Sequence, residues 1–389
     1  MCMKPRSGGH GDTHHRVRGE PMRHPRWLSV LGGVVLVLGV GCAATPPAEQ
    51  ARTGATGGAE STAAAPAEPE DVATGLEVPW ALGFLPDGSA LATERDTARI
   101  VRIDRDGTVT EAGEVPGVEP RGEGGLLGIA VSPDYERDRL VYAYLTSATD
   151  NRIVRMTYHP AAGLGTPETV AEGIPRADFH NGGRIAFGPD GLLYAGTGDA
   201  GTRQLAQDVD STAGKILRMT PEGDVPDDNP FGNLVYSYGH RNVQGLAWHG
   251  DTLLATEFGQ NAYDEVNVIR PGGNYGWPEV EGVGDRDGFV DPVVTWRTAE
   301  ASPSGAAVAG GSLWVAALRG ERLWRVPLTG DPARPVGEPE ALFTGEFGRL
   351  RDVVTEPGGT GIWLTTSNRD SRGTPHDGDD RVLRVALGE

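Results

Sequence analysis

The chain has 389 residues, including 58 glycines and 29 prolines, and a formal net charge of −19. Such an acidic chain disfavours nucleic acid as a partner, because phosphate backbones demand a cationic face. Cys2 and Cys42 both precede the strand-rich part of the sequence, so neither a disulfide framework nor a cysteine zinc site is available to it.

Residues 1–42 read as an export signal. Arg23, His24 and Arg26 precede the apolar run Leu28 to Val40, which is short for a membrane span and suits a signal-peptide core. The run ends in Gly39-Val40-Gly41-Cys42, similar to a bacterial lipobox, with Gly39 where Leu, Val or Ile is usual. Cys42 is therefore expected to carry a lipid, making the lipid anchor the chain's only membrane contact. Met22 is an alternative start. Residues 43–70 are mostly Ala, Thr, Gly, Pro and Glu and bury too little apolar surface to offset ordering entropy. They are expected to form a disordered tether, with the folded domain over 71–389.

Along residues 77–388 one pattern recurs: an apolar strand, a turn, a second apolar strand, an insert, and a third strand. The first unit runs Ala81 to Leu85, turns at Pro86-Asp87-Gly88, and continues through Ala90 to Thr93 and Ile100 to Ile103. The second uses Leu127 to Val131, Leu140 to Tyr144 and Ile153 to Met156. The third uses Arg184 to Phe187, Leu192 to Ala195 and Ile216 to Met219. Three further units begin near Leu246, Ala306 and Val353, with weaker turns. Six units of this length predict an all-β, six-bladed β-propeller with four-stranded antiparallel blades around a central channel. A pair of β-sandwiches or a parallel β-helix explains the matched turns less well.

The unusual polar residues fall at the joints between units. His180 ends the segment before the third unit's first strand, and Asp199 follows its second strand. Imidazole beside carboxylate suits general-base work, although an isolated histidine often packs and an aspartate among glycines often forms a turn. Arg241, Asn242 and Gln244 occupy the equivalent joint before the fourth unit. Arg349 and Arg351 precede the sixth and share one face of an extended segment. Arg319 follows the second strand of the fifth. Four arginines at matched positions converge on one channel end if the propeller forms, and guanidinium groups suit planar carboxylates. Surface solubility is the alternative reading.

Several short segments, in this order, carry a resemblance to a known family: Pro79-Trp80-Ala81, Gly124 to Gly128, Phe179 to Arg184, Asp228 to Phe231, Gly239 to Asn242, Asp264-Glu265, Asn274 to Pro278, Ser302 to Gly305 and Arg349 to Asp352. The chain resembles the soluble glucose and aldose sugar dehydrogenases that use pyrroloquinoline quinone (PQQ) and calcium. That resemblance implies aldose oxidation to the lactone, with His180 as base and Asp199 orienting it. It implies PQQ held by Arg241, Asn242, Arg319, Arg349 and Arg351, and sugar near Glu123 and Gln244. One calcium would take the main-chain carbonyls of Gly259 and Gln260, and a second, structural one would sit at Glu265 and Tyr275. An external electron acceptor completes the cycle. Phe179 stands where the glucose enzyme has Asp, Glu123 where some relatives have Gln, and Arg319 where that branch has Lys. These departures point to a broad aldose range. The rival classes are a calcium-dependent propeller lactonase or esterase, and a non-catalytic envelope binding propeller.

Overall fold

Strand pairs form where apolar runs meet at turns that few residue types can close. At Pro86-Asp87-Gly88, Gly88 has φ of 82° and its N–H donates to the Leu85 carbonyl at 2.9 Å. Asp87 Oδ1 accepts the Ser89 N–H at 3.0 Å. A β-carbon is unfavourable at that φ, so glycine closes the turn.

The computed structural model describes residues 66–388. The export signal, Cys42 and most of the predicted tether lie outside the described residues. Blade one contains Pro79–Phe84, Ala90–Glu94, Arg99–Ile103 and Val109–Glu114. Blade two contains Leu126–Val131, Leu140–Thr146, Asn151–His159 and Glu168–Ile174. Blade three contains Ile185–Phe187, Leu193–Gly196, Lys215–Met219 and Val235–Tyr238. Blade four contains Val243–His249, Thr252–Glu257, Tyr263–Ile269 and Val294–Arg297. Blade five contains Pro303–Ala309, Ser312–Ala317 and Arg322–Asp331, edged by Arg334–Val336 and Glu340–Leu342. Blade six contains Leu350–Thr355, Gly361–Thr366 and Val382–Ala386. The strand pairings within the blades are antiparallel, and the first three strands of each blade follow chain order outward.

The sixth blade takes its outer strand from the other end of the chain. Glu70–Ala73 pairs with Val382–Ala386, matching Glu70 with Arg384 and Asp71 with Leu383. The Ala67 N–H also donates to the Ala386 carbonyl at 3.0 Å. Ordered pairing thus begins inside the stretch expected to be tether. First strands of successive blades touch around most of the ring, Leu193–Gly196 meets Val243–His249 between blades three and four, and Pro79–Phe84 meets Leu350–Thr355 to close it. Radial repetition leaves only short, protected sheet edges along the channel.

Because each blade is covered on both faces, second strands are buried along nearly their whole length rather than on alternate residues. Ala90–Glu94, Ser312–Ala317 and Gly361–Thr366 are buried at every position. The core is correspondingly a ring of inter-blade clusters. Leu91, Ile129 and Leu193 belong to the largest, across blades one to three, and Ala92 and Trp363 join blades one and six. Burying one such leucine contributes about 1.5–3 kcal/mol. Near the axis space is tightest: a β-carbon on Gly245 would strike the Ser304 carbonyl.

In an antiparallel blade the start of the first strand and the end of the second lie at the same end. The loops entering first strands and those leaving second strands therefore crowd one mouth of the channel. The singled-out polar residues lie on such loops or, for Gln244 and Arg351, at the start of a first strand.

Candidate active site

The segment before Ile185–Phe187 is held rigidly. Asn181 Oδ1 accepts from the Ala177 N–H at 3.0 Å and from Asn151 Nδ2 at 3.1 Å, and Tyr144 donates its hydroxyl to the Asn181 carbonyl at 2.9 Å. His180 has φ of 57°, a left-handed conformation that non-glycine residues adopt at a cost. Two neighbours fix it there. Its N–H donates to Glu123 Oε2 at 3.0 Å, and its carbonyl accepts the Ala200 N–H at 3.2 Å.

His180 Nδ1 lies 2.7 Å from Asp199 Oδ1. Asp199 is buried; Oδ1 also accepts the Gly201 N–H at 2.8 Å, and Oδ2 accepts Trp277 Nε1–H at 2.9 Å. Burial opposes charge on Asp199, but the His180 bond and these donors outweigh it and hold the carboxyl below its ordinary range. An ionised carboxylate only accepts, so His180 Nδ1 carries the proton and Nε2 presents its lone pair. Nε2 has no partner among the described residues. The His180 side chain is 14% exposed, enough for a small molecule to reach it.

Next to this pair lies a cradle of buried donors. Asn242 Oδ1 accepts the Gly182 N–H at 2.9 Å, leaving Nδ2 unpartnered. Arg241 donates through Nη1 to the Phe258 carbonyl at 3.1 Å and its N–H bonds Glu257, but its Nε has no acceptor. Arg351 donates through Nη1 to Gln244 Oε1 at 3.0 Å, and its Nε is also free. Arg184 pairs with Asp352 at 2.9 Å and leaves Nη2 free. Arg184 and Arg351 both lie over the Trp80 ring, 4.5 and 5.6 Å from its centre. Arg349 differs, since Asp370 Oδ2 takes both its Nη2 (2.8 Å) and its Nε (3.2 Å). Burial lowers the Arg241 guanidinium against the pull of Asp199 and Glu257. Burial pushes Arg351 down to about 9, with Asp370 opposing and Arg95 and Arg349 assisting. Four unsatisfied buried donors with no matching acceptor cost about 1–3 kcal/mol each. They fit an acceptor-rich anion.

Glu123 and Gln244, expected to meet substrate, are largely engaged with the protein. Gln244 is buried, and its Nε2 donates to the Gly182 carbonyl at 3.0 Å while Oε1 serves Arg351. That makes it part of the cradle wall. Glu123 pairs with Arg372 at 2.8 Å. Burial acts against its charge, and the His180 N–H and Arg372 still hold it below the carboxylate range. Arg319 is exposed and makes no hydrogen bond or ion pair among the described residues, so the structure places it on the rim. Phe179, 46% exposed, stands edge-on to the His180 ring at 4.7 Å.

The loop after Thr252–Glu257 offers carbonyl oxygens. Glu281 Oε1 accepts the N–H groups of Gln260, Asn261, Ala262 and Tyr263 at 2.7–3.1 Å, and Asp264 accepts that of Gly259 at 2.9 Å. The Gly259 and Gln260 carbonyls accept no hydrogen bond among the described residues. Behind them Glu257, Glu265, Tyr275 and Glu281 line one small void. Burial and the nearby Glu257 push Glu265 up to about 8. The Tyr275 hydroxyl is spent, donating to the Val268 carbonyl (2.7 Å) and accepting the Arg270 N–H (2.8 Å), so only its main-chain carbonyl is left to a cation. Among the described residues no three His, Cys, Asp or Glu side chains form a ready-made metal cluster. A cleft of about 590 Å³ between Thr295-Trp296 and Ala333 to Pro339 lies at the outer rim of blades four and five, away from these groups.

A family model described as glucose/sorbosone dehydrogenase matches residues 76–374. The chain belongs to the glucose/sorbosone dehydrogenase family. The matched span contains every site residue named above except Cys42. Quinoprotein glucose dehydrogenase B of Acinetobacter calcoaceticus is 35% identical over 257 residues, 56% of this chain and 54% of that protein. The chain thus aligns with about half the length of that relative. An aldose sugar dehydrogenase of Escherichia coli is 30% identical over 327 residues, covering 73% of this chain and 86% of its own length. The PQQ-bound aldose sugar dehydrogenase structure from Streptomyces coelicolor superposes with a TM-score of 0.80 at 57% identity, over 83% of this chain and 100% of that one.

Membership in a dehydrogenase family accounts for a reactive mouth but leaves several partners that sequence reasoning had not assigned. Trp277 and Asp352 stand in quoted motifs, yet their contacts are with Asp199 and Arg184, far along the chain. Asp370 and Arg372 lie in a polar loop of Ser, Asn, Arg and Asp that reads as solvated surface. No sequence signal pointed to them.

Proposed function

We propose that this chain is a PQQ- and calcium-dependent dehydrogenase that oxidises aldoses at the anomeric carbon to the lactone. The observation that supports it best is the set of four buried donors without acceptors, on Arg184, Arg241, Asn242 and Arg351, beside an imidazole whose Nε2 is free. PQQ offers three carboxylates and quinone oxygens, all acceptors, which fits this donor set. PQQ with calcium supplies the quinone that takes the hydride from the anomeric carbon. Arg241, Arg351 and Asn242 bind and orient it, with Arg349 and Arg319 on the same mouth. Calcium fits the bare Gly259 and Gln260 carbonyls, because it favours oxygen ligands; Glu265 with the Tyr275 carbonyl suits a second, structural ion.

His180 Nε2 takes the proton of the anomeric hydroxyl. Asp199 keeps Nδ1 protonated and steadies the imidazolium as it forms. Phe179 offers an apolar face to the sugar ring at the rim, and Glu123 with Arg372 lines the other side. An external acceptor removes the two electrons. The full chain, purified without cofactor, is expected to gain dye-linked aldose oxidation on addition of PQQ and calcium, and none with NAD. Turnover with NAD alone would overturn the reading. The same proposal places the enzyme at the cell envelope through Cys42, and Cys42→Ala is expected to move it from the membrane to the soluble fraction. An unchanged distribution would remove the lipid anchor.

A further inference from the structure

Trp277 is 5% exposed and belongs to none of the groups that touch the reacting atoms. Its Nε1–H is the only donor to Asp199 Oδ2 among the described residues, at 2.9 Å. Two guanidinium groups lie over its rings: Arg203 at 5.3 Å and Arg241 at 5.5 Å from the centre. Its carbonyl accepts Gln207 Nε2 at 2.7 Å, and its N–H donates to the Gly239 carbonyl at 2.9 Å. Gln207 is itself fixed by exchanging hydrogen bonds with Asn274 at 2.8 and 2.9 Å. The turn carrying Gln207 is pinned by the buried Lys215 Nζ, which donates to the Leu205 carbonyl at 2.6 Å and the Ala206 carbonyl at 3.1 Å. The Trp277 backbone is thus fixed at both its N–H and its carbonyl, which sets the place of the indole.

We propose that Trp277 is a positioning residue that couples the arginine cradle to the His180–Asp199 base pair. This rests on the functional reading above. One face of the coupling is the Arg241 guanidinium, whose Nε awaits an anion. The other is the indole N–H, which stops the Asp199 carboxylate from rotating away from His180 Nδ1. An anion that fixes Arg241 thereby fixes the indole, and through it the orientation of the imidazole. The remaining charged groups facing the pair are Glu123 and Arg372 on the His180 side and Arg203 and Arg241 on the indole side.

Removing only the N–H has a directional consequence. Without it Asp199 Oδ2 is a buried oxygen with no donor, so the carboxylate is more basic and grips the His180 proton harder. The imidazolium is favoured, and the base switches off at higher pH. Trp277→Phe keeps a ring for the guanidinium groups and deletes the donor. It is expected to lower kcat roughly 5- to 30-fold, the loss of about one hydrogen bond to a charged group. The acid limb of its kcat profile moves to higher pH, while KM and PQQ affinity stay within about threefold. Unchanged kcat and an unmoved acid limb in a folded, PQQ-loaded variant overturn the proposal. So does parallel loss of melting temperature, PQQ affinity and kcat, which marks a packing role. A second measurement covers a variant that does not fold. In the wild-type full chain, with and without PQQ and calcium, the Trp277 indole ¹⁵N resonance is expected to shift as His180 titrates; an indole signal that ignores that titration also overturns the proposal. If the wild type fails to oxidise any aldose, the functional reading falls while the resonance still decides the coupling.

Discussion

Two histidine–carboxylate pairs stand in neighbouring blades with almost the same geometry. His180 Nδ1 is 2.7 Å from Asp199, and His240 Nδ1 is 2.8 Å from Glu257. They part at the other ring nitrogen. His180 Nε2 is free at the channel mouth, whereas His240 Nε2 lies 2.9 Å from Ser237 Oγ, in a fully buried site stacked on Tyr275 at 4.6 Å. Serine, histidine and glutamate in hydrogen-bonded series look like a hydrolytic triad, but no substrate reaches them. A base is therefore made by access and by a vacant lone pair. The carboxylate partner is common to both and so does not distinguish them. Glu257 also holds the Arg241 N–H, so the buried pair serves the cradle as framework.

Substitutions sharpen this contrast. The largest effect belongs to His180→Ala, expected to lose roughly 10²–10⁴-fold in turnover with PQQ affinity and melting temperature near wild type. Steady-state oxidation measured beside a PQQ titration checks it, and near-wild-type turnover in a loaded variant would remove the base. Arg351→Ala comes next. It deletes a buried donor of the cradle and is expected to weaken PQQ binding by about 1.5–3 kcal/mol, read from the dissociation constant. Equal affinity would take Arg351 out of the site. The mirror experiment is His240→Ala, which strands one buried Glu257 oxygen. It is expected to cost about 1–3 kcal/mol of stability in a denaturant titration, with turnover per loaded molecule little changed. A selective loss of turnover there would erase the distinction between the pairs.

The smallest effect is in pH. Asp199 is held below its ordinary value of 3.8, so its pairing contributes stability that is complete above that value and is lost as pH falls through the folded value. The carboxylate stays ionised through the neutral range, and one proton on His180 Nε2 switches the base off. The acid side of the kcat profile is expected to fall with a slope of one, without loss of circular dichroism until pH drops below about 4. A slope of two would show that the carboxylate titrates with the imidazole.

The six blades were legible because turns such as Pro86-Asp87-Gly88 and Gly188-Pro189-Asp190-Gly191 punctuate apolar runs at regular intervals. Glu70–Ala73 escaped because four residues at the edge of an Ala- and Glu-rich stretch show no alternation, and what makes them a strand is Val382–Ala386 more than 300 residues away. The site followed the same divide. His180, Asp199 and the cradle arginines stand at repeat joints, where position alone suggests convergence. Their partners do not: Trp277 meets Asp199 across 78 residues, and Arg372 meets Glu123 across 249. Such pairs are products of ring closure, and no local spacing encodes them. The Gln244 amide faces inward for the same reason, since Arg351 waits for it from another blade.

The central claim is that the unpartnered donors hold an electron-accepting anion against the His180 base. Its most direct test is a single-turnover absorbance measurement on the full chain loaded with PQQ and calcium. The account predicts one PQQ bound per chain and a stoichiometric loss of quinone absorbance on mixing with an aldose. Absence of saturable binding, or bound PQQ whose spectrum no aldose changes, would contradict it.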